Sequence, residues 1–209
     1  MASSFDPRPL RGDARRNRES LLVAARELFA ERGVDVAMAD IARRAGVSNG
    51  TLYNHFSTRA DLIEAVFVDR LATMIDLADQ GLAAADPWQG FVECLTGICE
   101  LQAADRGFNE VAARGMGTSP VTIELRKVAL GKMRELFVRA QDSGSLRADL
   151  AVEDLAFVVW GISRTVELTT DTAPRLWRRH LALLLDGFRA DGAHPLPEPP
   201  FAAGLVHGD

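Results

Sequence analysis

Seven residues crowded into one short stretch carry the most suggestive chemistry in the chain: Asn49, Gly50, Thr51, Tyr53, Asn54, His55 and, four positions on, Arg59. An asparagine amide can read an adenine edge with two hydrogen bonds. Threonine and tyrosine hydroxyls, a histidine ring and an arginine guanidinium can meet phosphate oxygens. Gly50 has no side chain, so the backbone there can come close to a duplex. Read as structure alone, the same side chains are the solvated face of a small helix. No other chemistry competes with this stretch. The four histidines, His55, His180, His194 and His207, are scattered, with no HExxH or Cys/His constellation to hold a metal or build a nucleophile. An enzyme, a metal site and a cofactor are therefore not expected. Cys94 and Cys99 stand five apart in an apolar segment, which puts them on different faces of a helix, and they read as buried small hydrophobes.

The elements that must position these residues are written in local signals. Residues 38–45 and 49–55 read as two short helices with Gly46-Val47 between them, a helix-turn-helix. Gly46 supplies the left-handed conformation that ends the first helix, and Ser48 caps the second. Ile41, Ala42, Val47 and Leu52 form the apolar contact that holds the two crossed. Thr58 followed by Asp61 is a capping box that starts the next helix.

The run IARRAGVSNGTLYNHFSTRADL, residues 41–62, preceded by an amphipathic helix and followed by a longer helical region, resembles the N-terminal domain of TetR-family transcription regulators. The core A-G-V-S-x-G-T-L-Y-x-H-F is matched with Asn49 and Asn54 at the variable positions, and the resemblance covers about residues 14–70. It implies that Asn49, Gly50 and Tyr53 face bases and that Asn54 contacts a base or the backbone. Thr51, His55 and Arg59 would hold phosphates, Tyr53 could do so as well, and Leu52 and Phe56 would be core. One departure concerns the start of the first motif helix. Many members carry Ser or Thr there, whereas Val36, Ala37 and Met38 offer no hydroxyl, so Arg43 or Arg44 would have to supply that phosphate contact.

Beyond the motif the periodicity is helical throughout, and the expected class is all-α with about nine helices, at 13–32, 38–45, 49–55, 58–83, 87–103, 105–114, 119–142, 151–169 and 173–190. Asp86-Pro87 and Ser119-Pro120 place a capping side chain before a proline at the first helical position. The expected divisions are an arm (1–12), a three-helix DNA-binding domain (13–60), a larger ligand-binding and dimerisation domain (61–190) and a proline-rich tail (191–209). A single short reading helix covers few base pairs, so a homodimer on a palindromic double-stranded DNA operator is expected. The last two helices, apolar on more than one face, supply its surface, with Leu155, Val159, Leu181, Leu184, Leu185 and Phe188 as candidates. The resemblance implies a small-molecule effector pocket in the middle helices. Trp88, Phe91, Leu95, Ile98, Phe108, Met116, Met133 and Phe137 are its apolar candidates, and Cys94, Glu110, Arg114 and Arg164 its polar ones, which together suggest a largely apolar ligand.

Composition agrees with this reading once it is resolved along the chain. With 47% hydrophobic and 25% charged residues the chain is neither disordered nor fibrous, and its longest apolar runs fall short of the roughly 20 residues a membrane span requires. The first residues lack the apolar core of a signal peptide, which points to the cytoplasm and away from a membrane. The net charge of −5 conceals two parts. Residues 1–60 hold ten arginines against seven carboxylates, a surplus of three, while the remainder holds 14 basic and 22 acidic side chains, a deficit of eight. The leading reading is a repressor released by an effector. A DNA-binding regulator with no small-molecule effector, answering to a protein partner, to cysteine redox chemistry or acting as an activator, remains the alternative.

Overall fold

The computed structural model describes residues 8–104 and 119–200 of the chain. Among them every regular element is helical: α1 (Arg8–Arg32), α2 (Met38–Arg44), α3 (Asn49–His55), α4 (Arg59–Ala83), α5 (Pro87–Ala104), α6 (Pro120–Asp142), α7 (Asp154–Thr169) and α8 (Leu176–Phe188). The helix expected at 105–114 lies outside the described residues, so the described helices number eight. None is long and apolar enough to cross a membrane.

The chain divides inside α4. Residues to Asp69, with 119–122, form one unit; Arg70–Ala104 and the chain from Ile123 form the other. The first half of α4 thus belongs with the helices before it.

In the first unit α1, α2 and α3 pack pairwise. Leu21, Leu28 and Phe29 of α1, Ile41 of α2, Leu52 of α3 and Leu62 of α4 are among its fully buried side chains. Helices of seven residues are unstable alone, so α2 and α3 depend on this packing and on their ends. Gly46 adopts φ +71° and ends α2, with Val47 N donating to Ala42 O at 3.0 Å. The Ser48 hydroxyl accepts from Thr51 N at 3.1 Å. Thr58 and Asp61 cap reciprocally at 2.9 and 3.1 Å, as the capping box requires. Glu64 on α4 accepts hydrogen bonds from the hydroxyls of Ser119 and Thr122 at the start of α6.

The second unit begins with an antiparallel pair. α4 and α5 are joined by a three-residue turn, and Asp86 caps α5 by accepting from Trp88 N at 2.8 Å. The two helices cross so closely at Gly81 and Gly90 that each glycine faces the other's carbonyl. The Arg139 guanidinium of α6 donates to Leu82 O at 2.7 Å and to Ala84 O at 2.6 Å, which fixes the C-terminal half of α6 to the same end. Phe91, Leu95, Phe137 and Leu146 pack with Leu155, Ile162, Trp177 and Leu181 of α7 and α8 in the main core.

The starts of α7 and α8 lie about three residues later than their sequence pattern suggests. Asp154 accepts from Ala151 N at 2.8 Å, so residues 151–153 form a turn before α7, and Pro174 sits in a turn that precedes α8. The β-prone stretch from Thr165 to Thr169 is helical. After α8 the chain folds back. The buried Arg147 donates to both oxygens of Asp149, at 2.6 and 2.9 Å, to Gly187 O at 3.2 Å and to His194 O, while Arg189 covers the Trp88 ring at 4.2 Å.

Candidate nucleic-acid interface and effector cavity

On α3 most of the residues expected to meet DNA stand outward. Asn49, Gly50, Tyr53 and Asn54 are exposed, with Tyr53 presenting 52% of its surface, while Leu52 at 0% anchors the helix from behind. The protomer thus leaves about half of this aromatic residue uncovered, with a hydroxyl that can hydrogen-bond to a polar surface. The Thr51 hydroxyl lies 2.9 Å from that of Ser48, so it belongs to the cap as well as to the outer face. His55 is half-buried, its ring 6.4 Å from that of Phe56, and Arg18 of α1 lies over Phe56 at 5.4 Å.

Three arginines are more engaged than their sequence positions suggest. Arg59 donates to Val34 O at 2.8 Å, tying α4 to the loop before α2, so its side chain serves the fold before any phosphate. Arg44 reaches back to α1, donating to Glu27 at 3.0 Å and to Glu31 at 3.0 and 2.9 Å. Those hydrogen bonds, Glu31 first, push its own pKa up and hold the Glu31 carboxyl below its ordinary value. Arg43 donates to Asp40 at 2.6 Å but stays exposed. Both arginines are exposed, but Arg43 meets one carboxylate whereas Arg44 is held by two, so Arg43 is the less engaged candidate to replace the missing hydroxyl at the start of α2. Ala37, the residue before α2, makes no side-chain cap.

The second unit contains a cavity of about 500 Å³ between α4, α5, α6 and α7, within the range of roughly 300–1,000 Å³ usual for small-molecule sites. Of the sequence-based ligand candidates, Leu95, Ile98 and Met133 line it. Trp88, Phe91 and Phe137 do not. They pack on one another in the core, Trp88 tilted against Phe91 and Phe91 edge to face with Phe137, with ring centroids 5.9 and 6.3 Å apart. Cys94 is buried beside Ala78, Ile98 and Leu136 rather than on the lining, and Arg164 is exposed and paired with Glu167 at 2.6 Å. Phe108, Glu110, Arg114 and Met116 lie outside the described residues.

The lining also has members that the sequence-based set misses: Leu71, Met74 and Ala78 of α4, Gln102, the cations Arg126, Lys127 and Arg134, and the carboxylate Glu153. The antiparallel return of α5 along α4, signalled by Gly81, the short turn and Gly90, is the clue that α4 shares the cavity. Burial pushes the thiols of Cys94 and Cys99 up to about 12, which leaves both protonated and inert as redox sensors.

Residues 21–66 match the profile described as bacterial regulatory proteins, tetR family, and residues 86–190 match that described as transcriptional regulator SbtR-like, C-terminal domain. The solved TetR transcription regulatory protein from Mycobacterium vanbaalenii is 32% identical over 87% of this chain and 99% of its own, with a TM-score of 0.65. The chain belongs to the TetR family. Members are transcription regulators rather than enzymes.

Two curated relatives match part of this TetR-family chain. The HTH-type transcriptional activator FasR of Mycolicibacterium smegmatis is 39% identical over 85 residues, 37% of this chain and 39% of that protein. The tetracycline repressor protein class D of Escherichia coli is 38% identical over 80 residues, 38% of this chain and 36% of that protein. The chain thus spans less than two-fifths of the length of these curated relatives. An activator and a repressor stand side by side among them.

The exposed faces of α7 and α8 differ from the sequence-based dimer set. Leu155 and Leu181 are buried in the protomer's own core. Val159, Leu184, Leu185 and Phe188 pack half-buried against it, and Leu155 and Val159 also line the cavity. A side chain already covered in the protomer adds no area to a dimer. The apolar side chains that face outward are Phe157, Trp160 and Leu168 on α7 and Leu176 and Leu183 on α8, with the Phe157 and Trp160 rings edge to face at 5.4 Å. Their spacings, three and then eight residues on α7 and seven on α8, place them on one face of each helix.

Proposed function

We propose that this TetR-family chain acts as a homodimer that binds a palindromic operator through two copies of α3 and leaves it when a small effector fills the α4–α7 cavity. The observation that carries the reading is the outer face of α3. Asn49, Gly50, Tyr53 and Asn54 stand exposed on a helix whose start is capped by Ser48 and whose inner face is anchored by Leu52. Asn49 and Tyr53 would meet base edges and Asn54 a base or the backbone. Thr51 and His55 would hold phosphates, and Arg43, with one carboxylate neighbour, would supply the charge that the more engaged Arg44 and Arg59 do not.

The dimer is proposed to form through the outer stripes of α7 and α8, where Phe157, Trp160 and Leu183 offer apolar area that the protomer leaves exposed. Repression is the proposed direction, and a reporter placed behind the operator reads it by its rise when the effector is added. The assignment of the reading helix is tested by a gel-shift titration of Tyr53→Ala on the native operator. The variant is expected to lose binding while keeping its helical circular dichroism. Full retained affinity would show that another element reads the DNA.

A further inference from the structure

The cavity has a direction. Leu136 of α6 lies against Gly81 near the turn between α4 and α5, and Arg126 precedes Leu136 by ten residues, about 15 Å along a helix. Leu71 lies the same ten residues from Gly81 on α4, and Gln102 lies twelve residues from Gly90 on α5, about 18 Å along its helix. Arg126, Lys127, Leu71 and Gln102 therefore share the end of the cavity far from the turn, while Ala78, Leu95 and Met133 lie nearer the close crossing. The charges of the lining are unevenly distributed. Among its described residues the one carboxylate, Glu153, stands with Arg134 toward the turn end, paired at 3.2 Å, whereas Arg126 and Lys127 bring two cations and no lining carboxylate to the far end.

Gln102 adds an independent signal. Its side chain is 8% exposed, it lines the cavity, and its Oε1 is buried with no hydrogen-bond partner. A buried amide oxygen in that state costs free energy unless something supplies or relieves its bond. Turning the amide over would give up no hydrogen bond at Oε1 and would aim its N–H groups at an acceptor placed there.

We propose that the cavity binds an amphipathic anion, a long aliphatic chain ending in a carboxylate, with the head at Arg126, Lys127 and Gln102 and the chain running over Met74, Ile98 and Met133 toward Ala78. The apolar lining removes the chain from water, with each methylene adding to affinity. The cations fix the end at which the head sits. This rests on the reading of the cavity as the effector site and adds the chemical class of the effector.

The test uses three probes of matched chain: dodecanoate, dodecanol and dodecylammonium, each titrated calorimetrically below its micelle concentration into the full-length protein. Dodecanoate is expected to bind once per protomer and about tenfold or more tighter than dodecanol, with dodecylammonium weakest, the spread that one charge-assisted contact gives. In Arg126→Gln/Lys127→Gln the preference for dodecanoate over dodecanol is expected to collapse to within about threefold. Equal binding of dodecanoate and dodecanol to the wild-type protein, or no binding of either, would overturn the proposal whether or not the variant folds. An unchanged preference in the folded variant would overturn the placement of the head. The operator is then titrated with dodecanoate present. If dodecanoate binds with the expected preference and operator affinity does not move, the ligand class stands and the effector reading falls. If a neutral apolar compound releases the operator while dodecanoate does not bind, the effector reading stands and the anion is wrong.

Discussion

Replacing Gly90 by alanine sets two effects of one methyl group against each other. In a helix interior the exchange favours folding by up to about 1 kcal/mol, because glycine loses more backbone entropy than alanine. At this position the new Cβ would stand 2.2 Å from Gly81 O, 3.0 Å from Gly81 C and 3.2 Å from Ala84 Cβ. The first two are backbone atoms of α4 and cannot turn aside, so α4 and α5 must separate and lose contact along their crossing. Inserting a methyl into a packed site costs roughly 1–3 kcal/mol, occasionally more, and a backbone clash this short belongs at the upper end. The net expectation is a loss of about 1–2 kcal/mol or more, which for a chain of this size lowers Tm by roughly 2–8 °C. The matched control is Gly131→Ala. A Cβ there meets nothing within 4 Å, so the helical gain stands alone and Tm rises by a few degrees, roughly 2–4 °C. Both are read by thermal melts followed by circular dichroism. If Gly90→Ala melts at or above the wild-type temperature while Gly131→Ala behaves as expected, the close crossing of α4 and α5 is wrong.

Gly50→Ala should separate stability from recognition. Its Cβ meets only Ser48 Oγ at 3.7 Å, so the melt is expected to stay level or rise, while operator affinity in a gel shift falls about tenfold, the size of one lost base contact. Cys94 and Cys99, with thiols held at about 12, should resist Ellman's reagent at pH 8 in the native state and react only as the protein unfolds in denaturant; prompt reaction of either would contradict their burial. The hydrogen bonds from Arg147 hold the Asp149 carboxyl at about 2 against an ordinary 3.8. The stability it contributes is therefore complete above about pH 4 and lost as pH falls through 2. Urea midpoints measured between pH 5 and 2 should fall less steeply for Asp149→Asn than for the wild-type chain, and parallel curves would remove Asp149 from the acid response.

The α2–α3 pair was legible because everything that defines it acts within a few residues. Gly46 ends one helix, Ser48 starts the next, and Thr58 with Asp61 starts the third, with no reference to distant chain. The engagement of Arg44 was half legible, since Glu27 and Glu31 four apart on α1 form a carboxylate pair that asks for a cation, but which arginine answers depends on how α2 crosses α1. The α7–α8 faces were not legible. Both helices are apolar on two sides, so Leu155 and Phe157 look equally able to face inward until the packing of α5 decides between them. The cavity lining failed for another reason. Large aromatic side chains such as Trp88, Phe91 and Phe137 fill space by packing on one another, and the space left open falls beside leaner side chains such as Met74, Ala78 and Ile98.

The segment that folds back after α8 governs where this chain tolerates editing. Arg147 is buried with four hydrogen bonds, and two of their acceptors, Gly187 O and His194 O, belong to the end of α8 and the turn beyond it. A fusion or affinity tag attached after residue 200 leaves that set intact. Trimming the chain back to the last turn of α8 would strip a buried guanidinium of one acceptor and uncover the Trp88 face that Arg189 shields. A shortened version made to ease crystallisation would thus be expected to lose solubility before it lost any part of the outer face of α3.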